Sequence, residues 1–342
     1  MGSLKTITAV AKDPFYFLDS THISIEEKNN TLFQSLSSPA RSEKFDIAFG
    51  AGIKAQTYGY WKEDKLYQLP LTWFTGLDTW ANSPGFPATH ARFNRMITSR
   101  CFECHASYIK RDFEPSGPLA VREVLGRNSI IYGIDCERCH GPALEHVRFQ
   151  QDNPTIKTAK FITRITSLGR GQQLDLCATC HSGNDRETQR SLFTFVPGDT
   201  LAHFYYPTFG EKTAEPDVHG QQLQMLHGSK CFAGSELTCS TCHSTHATRQ
   251  TTAAYVTKCL DCHRNSGHAT VAAQATAAAQ AAATAQATAH TTAAAQATAV
   301  TTATCIDCHM PLVTSKTIVL NNGAGAKTIP YLLRTHKISI YK

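Results

Sequence analysis

The sequence predicts an α+β protein with little regular secondary structure, in which a small N-terminal antiparallel β module precedes a mostly helical and irregular region. Two observations support this prediction. Residues 1–95 contain no cysteine and hold all three tryptophans among aromatic, strand-like runs. After residue 95, short helical patches alternate with Gly, Pro and Asn turns, and all 13 cysteines lie there. We therefore expect two domains, 1–95 and 96–342.

The N-terminal strands are predicted from alternating or aromatic runs at 45–49, 57–61 and 66–74, with 62–65 as a hairpin turn. We expect Trp61, Trp73 and Trp80 to pack in a core rather than to stack on a substrate. In the second domain, 118–125 is predicted as one of the helical patches.

Composition excludes several classes of protein. The apolar fraction is 42%, and no stretch approaches the ~18 consecutive apolar residues of a membrane-spanning helix. Thirteen cysteines in 342 residues are too few for a dense disulfide scaffold and too many for inert buried thiols. The cysteines are therefore expected to bind a metal or a covalent cofactor.

Twelve of the 13 cysteines form six Cys-x-x-Cys pairs, and a histidine directly follows every pair. The six motifs are Cys101, Cys104 and His105; Cys136, Cys139 and His140; Cys177, Cys180 and His181; Cys239, Cys242 and His243; Cys259, Cys262 and His263; and Cys305, Cys308 and His309. On a helical turn, thiols three residues apart face one side and can form thioethers to both vinyl groups of one porphyrin, whose iron the adjacent imidazole ligates. The pattern predicts six covalently attached haem c groups.

Zinc is the main competing interpretation, because Cys-x-x-Cys is also half of a four-cysteine zinc site. Zinc would not require a histidine after every pair. A redox dithiol would occur once rather than six times. At 342/6 = 57 residues per haem, 96–342 is expected to be a haem-packed hexahaem cytochrome domain.

Ten further histidines could supply the second axial ligand of each iron. The chosen candidates are His146, His219, His246 and His336, followed by His90 and His268. His22, His203 and His227 are held in reserve, and Met310 is assigned to packing because it adjoins a motif histidine. The surplus of histidine over methionine favours bis-histidine, low-spin haem.

Residues 269–304 contain only Ala, Thr, Gln, Val and one histidine, His290. This segment is a low-complexity linker, an Ala-rich helix, or a run of letters standing in for unidentified residues. The remaining cysteine, Cys231, has no partner in the sequence pattern and is expected to be a buried thiol.

Several motifs resemble those of a family of exported bacterial multihaem c-type cytochromes. They include Gly50-Ala51-Gly52, the run from Leu66 to Pro70, Ser83-Pro84-Gly85-Phe86, and the first, second and sixth Cys-x-x-Cys-His motifs with their neighbours. The family is frequent in Bacteroidota-type genomes and distantly similar to the tetrahaem cytochrome that serves hydroxylamine oxidoreductase. The resemblance implies electron transfer through bis-histidine haems, with His146, His219, His246 and His336 matching its non-motif histidines. It also implies a further haem motif near the N-terminus, which this sequence does not contain.

The leading functional hypothesis is an electron conduit in the periplasm, at the cell surface or outside the cell, a role that needs no catalytic residue. An oxidoreductase with one open haem acting on a small nitrogen or sulfur compound is the first alternative, for which Tyr205, Tyr206, His203 and Lys110 are available. A subunit of a polymeric cytochrome filament is the second.

The expected partners are redox proteins or neighbouring cytochromes, including further copies of this chain. The charge does not indicate nucleic acid. Six haems bring about 12 propionates, so the formal charge of +6 becomes about 6 − 12 = −6.

Overall fold

The computed structural model describes residues 13–183, 185–207, 215–247, 250–264, 304–321 and 328–341. It confirms the predicted fold class, because an antiparallel β region is followed by short helices and irregular chain. The chain divides into two compact units, the first formed by 1–212 and 315–331 and the second by 213–314 and 332–342. The boundary that the sequence suggests after residue 95 stays a prediction.

The first sheet has four antiparallel strands in the order β1 (Phe15–Tyr16), β2 (His22–Lys28), β3 (Thr31–Leu36) and β4 (Arg41–Lys44). The turn between β2 and β3 contains Asn29 and Asn30, whose φ angles are 51° and 58°. Two successive left-handed residues match the twist of a tight hairpin, and asparagine tolerates that conformation better than most side chains.

Two smaller sheets follow. Strands β5 (Ile47–Phe49), β6 (Thr57–Lys62) and β7 (Lys65–Gln68) form one, and β8 (Leu71–Phe74) and β9 (Thr79–Asn82) form the other. The hairpin turn predicted at 62–65 is confirmed, since Lys62 pairs with Lys65. The single run predicted at 66–74 is instead two strands that separate around Pro70, which has no N–H for a sheet hydrogen bond.

The β region encloses an aromatic core. Tyr58, Tyr60 and Leu71 are completely buried, and Trp80 is 6% exposed. Trp73 packs edge-on against Trp80 at a ring-centre distance of 5.6 Å. The expected core role of these two tryptophans is confirmed.

Between the first two motifs lie a small sheet of β10 (Ala106–Tyr108) and β13 (Ile131–Tyr132) and a hairpin of β11 (Arg111–Gly117) and β12 (Ala120–Leu125). The helix predicted at 118–125 is therefore wrong. Val121 and Val124 favour a strand, and Glu114 pairs directly opposite Arg122 across the hairpin. Arg122 also contacts Asp64, which fixes one face of the hairpin.

Nine α-helices lie in the described residues, most of them short. They are α1 (Ser99–His105), α2 (Glu137–His140), α3 (Leu144–Asp152), α4 (Arg170–His181), α5 (Gln222–His227), α6 (Lys230–Ala233), α7 (Cys239–Cys242), α8 (Thr252–His263) and α9 (Cys305–His309). A final two-stranded sheet, which the sequence did not reveal, joins β14 (Leu312–Asn321) and β15 (Thr328–Arg334). Within the described part of the chain, no helix has the length and apolar character needed to span a bilayer.

Candidate haem-attachment sites

Every Cys-x-x-Cys-His motif forms the last turn of a helix. Helices α1, α2, α4, α8 and α9 end at the motif histidine, and α7 ends at the second cysteine with His243 directly after it. Cysteines three residues apart on a helix lie on the same face, about one turn apart. The two cysteines of each motif are therefore expected on one side of a helical turn, as two thioethers to one porphyrin would require.

The motifs divide equally between the two units. The first three lie within 101–181 and the last three within 239–309, so each unit contains three. The predicted attachment sites are thus two groups of three, each group assembled within one compact part of the chain.

In the first unit, the first and third motifs are in direct contact. The Cys104 thiol donates to the Thr179 carbonyl at 3.7 Å, and the Cys180 thiol donates to the Glu103 carbonyl at 3.9 Å. The neighbouring Cys180 thiol, together with burial, raises the pKa of Cys104, and the Cys104 thiol lowers the pKa of Cys180. The second cysteines of the first and third motifs are therefore neighbours.

The second motif joins the same group. Burial raises the pKa of Cys139, and the neighbouring Cys180 thiol raises it further. Arg138, between the two cysteines of this motif, donates to the Glu103 carbonyl at 2.8 Å and to the Leu192 carbonyl at 2.7 Å. The residue inside one motif thus anchors the backbone of another.

Glu103, inside the first motif, is 1% exposed. Its carboxylate accepts from the Ser191 hydroxyl at 2.8 Å and the Leu192 N–H at 2.9 Å, and it lies 3.0 Å from Arg100. A buried carboxylate needs such partners to offset its loss of hydration. Sequence reasoning missed Glu103 and Arg138, although a charged residue between the cysteines was a visible signal.

The three motifs of the second unit also lie together. Burial, with smaller effects of nearby thiols that include Cys231 and Cys262, raises the pKa of Cys242. Burial raises the pKa of Cys259 to about 11, with smaller contributions from Cys305 and Cys231. Cys231 is half-buried rather than fully buried, and its thiol lies near the motif cysteines Cys242 and Cys259.

Two motif histidines are held through their Nδ1 atoms. His140 Nδ1 lies 2.7 Å from the Thr163 carbonyl, and His309 Nδ1 lies 2.9 Å from the Ser339 carbonyl. Because a carbonyl only accepts, Nδ1 carries the proton and Nε2 keeps its lone pair. Both imidazoles are therefore in the tautomer that ligates a metal through Nε2.

Among the six predicted distal ligands, His146 shows the same arrangement. It lies on α3, and its Nδ1 is 2.7 Å from the Lys160 carbonyl. His336 lies near a motif histidine, since its ring centre is 6.1 Å from that of His243.

The other candidates are less constrained. His219 lies two residues after Asp217, and its backbone N–H donates to the Asp217 carboxylate at 2.7 Å; desolvation lowers the pKa of its ring. His246 is exposed, and the ring of exposed His90 lies 2.9 Å from the hydroxyl of its neighbour Thr89. His268 and the segment 269–303 lie outside the described residues.

Of the four residues offered for an open haem, His203, Tyr205 and Tyr206 lie within four positions of one another, and Lys110 lies elsewhere in the sequence. Tyr205 is buried beneath Arg186, whose guanidinium lies 4.3 Å from the ring centre. Tyr206 is 51% exposed, and Lys110 pairs with Asp112 at the surface.

The surroundings of the second motif fit a large apolar group. The segments next to it carry an unusual concentration of exposed apolar side chains: Ile131, Tyr132, Ile134, Leu144, Val147 and Phe161. A porphyrin tethered at Cys136 and Cys139 would cover apolar surface of this kind. The described residues contain no group of three or more His, Cys, Asp or Glu side chains arranged to hold a metal ion.

No protein-family model and no curated protein matches the chain. Among solved structures, the crystal structure of the outer cell wall cytochrome OcwA is similar, with a TM-score of 0.43 and 16% sequence identity. The alignment covers 84% of this chain and 66% of that chain. The chain thus spans about two thirds of the length of that protein.

Proposed function

We propose that this chain is an extracytoplasmic electron-transfer protein that carries six covalently attached haem c groups with bis-histidine ligation. The observation that carries the proposal is that all six Cys-x-x-Cys-His motifs close a helix with their thiols one turn apart. The family resemblance of the sequence to exported multihaem cytochromes points the same way.

Haem, when bound, supplies a one-electron Fe(III)/Fe(II) couple. The residues of the chain hold it in place. The cysteines form the tethers, and carbonyls such as that of Thr163 fix the imidazole of the motif histidine through Nδ1. The exposed apolar side chains Val147 and Phe161, beside the motif, would cover the cofactor and keep water from it.

Clustering of the motifs supports conduction rather than isolated redox centres. In the first unit Cys104 and Cys180 each contact the carbonyl of the residue before the other, at 3.7 and 3.9 Å, and in the second unit Cys259 lies near enough to Cys242 and Cys305 for both to affect its pKa. Cofactors tethered at neighbouring sulfurs lie within short distances of each other. Each unit therefore supports a short series of electron transfers.

The proposed setting is the periplasm, the cell surface or the extracellular space, where the thioether bonds of haem c are formed and retained. The proposed partners are redox proteins or neighbouring cytochromes, including further copies of this chain. No substrate-converting residue is required for this role.

A spectroelectrochemical titration of the full haem-loaded chain tests the function. We expect reversible uptake of six electrons per chain, and no binding of carbon monoxide or nitrite by the reduced protein. Uptake of fewer electrons would overturn the hexahaem proposal. A haem that binds nitrite and turns it over would overturn the conduit in favour of an enzyme.

A further inference from the structure

We propose that His243 and His336 are the two axial ligands of one iron, that of the haem tethered at Cys239 and Cys242. This assignment rests on the proposed function and deepens it, because it pairs a motif histidine with a histidine near the C-terminus. Both residues lie in the second unit.

The spacing of the two rings carries the assignment. Their centres are 6.1 Å apart and their planes differ by 20°. An imidazole nitrogen binds a metal at about 2 Å and lies about 1 Å from its own ring centre, so two imidazoles on opposite sides of one metal have centres about 6 Å apart. The observed separation equals the span of one bis-imidazole site.

Two contacts fix the position of His243, the motif histidine. Its N–H donates to the Cys239 carbonyl at 2.9 Å, which closes the turn that carries both tether cysteines. Its Nδ1 lies 3.3 Å from the Tyr255 hydroxyl. When Nδ1 donates to that hydroxyl, Nε2 keeps the lone pair that ligates a metal.

His336 is fixed through its neighbours. The Thr335 N–H donates to the Pro311 carbonyl at 3.1 Å, and the Thr335 side chain is buried against Met225. The Ile338 N–H donates at 2.8 Å to the hydroxyl of Ser229, which is 1% exposed. An imidazole between two such anchors is held in position before any metal arrives.

The same C-terminal segment serves a second motif. The Ser339 carbonyl accepts from Nδ1 of His309, and the Ser339 N–H donates to the His309 carbonyl at 3.1 Å. Residues 335–339 therefore orient the motif histidine of the sixth site while placing His336 opposite that of the fourth.

The test uses the full haem-loaded chain with His336→Ala and, as a control at the exposed neighbouring position, Lys337→Ala. Covalent haem content is measured by intact mass, and spin state by electron paramagnetic resonance. We expect six haems in both variants. One haem of six should become high-spin and bind carbon monoxide in His336→Ala alone, and added imidazole should restore the low-spin signal.

A second variant covers the case in which His336→Ala does not fold. In His336→Met, a thioether replaces one imidazole, and one haem of six should shift to a higher reduction potential. If His336→Ala keeps six low-spin haems, or His336→Met leaves every potential unchanged, the pairing is wrong while the hexahaem proposal stands. A wild-type chain without six haems would instead overturn the proposed function.

Discussion

Cys104 and Cys180 make reciprocal contacts: each thiol donates to the carbonyl of the residue just before the other, at 3.7 and 3.9 Å. The ends of α1 and α4 therefore lie side by side in a nearly two-fold arrangement. We expect the sulfurs of the first and third motifs to remain neighbours when both carry haem. An experimental structure of the haem-loaded protein checks this. A sulfur of another motif lying closer to Cys104 than Cys180 does would contradict it.

Substitution of Glu103 should destabilise the protein more than substitution at most other positions of the first unit. Glu103→Gln keeps an acceptor for Ser191 but leaves the Arg100 guanidinium, 18% exposed, without its counter-charge. Removing one partner of a buried ion pair is expected to lower the free energy of unfolding by about 3 kcal/mol. Denaturant unfolding of the haem-loaded chain measures this change.

The matched control is Glu145→Gln, because the Arg148–Glu145 pair has the same 3.0 Å distance and the same i,i+3 spacing but side chains 63% and 65% exposed. Loss of the Arg148–Glu145 pair should lower the free energy of unfolding by less than about 1 kcal/mol. Equal effects of the two variants would show that burial of Glu103 does not matter.

His146 is expected to ligate iron through Nε2, because its Nδ1 is engaged by the Lys160 carbonyl. In His146→Ala, six haems should remain attached while one becomes high-spin in electron paramagnetic resonance. Gln150→Ala on the same helix is the control and should leave all six low-spin. An unchanged spectrum for His146→Ala would remove His146 from the ligands.

Tyr60 should make the β region sensitive to alkali. Burial raises the pKa of its phenol to about 12 from 10.0. Above pH 10 the unfolded chain loses this proton while the folded chain keeps it. The contribution of Tyr60 to the free energy of unfolding is therefore complete below pH 10 and is lost as the pH rises through 12.

Denaturant midpoints between pH 9 and 12 check this behaviour. In Tyr60→Phe the midpoint should fall less steeply with rising pH. In Tyr16→Phe, at a 45% exposed position, it should fall as in the wild type. Parallel declines in wild type and Tyr60→Phe would rule out Tyr60 as a cause.

The predictable parts of this protein are those set by local spacing. The Cys-x-x-Cys-His repeats predicted helical turns, and Lys62 to Lys65 predicted a hairpin, because each depends on residues within one turn of chain. The segment around Val121 and Val124 became a strand because a partner, β11, was available to pair with it.

The contacts that orient the sites could not be read from the sequence. The carbonyls of Thr163, Lys160 and Ser339 are backbone groups that every residue has, and only the fold brings them to His140, His146 and His309. The 6.1 Å spacing of His243 and His336 likewise joins positions 93 residues apart (336 − 243).

The number of covalent haems tests the central claim most directly. Intact mass of the denatured, alkylated chain should show six haems and one alkylated thiol, that of Cys231, since the other twelve cysteines are consumed as thioethers. A chain without haem in which all thirteen thiols are alkylated after zinc is removed would contradict the account.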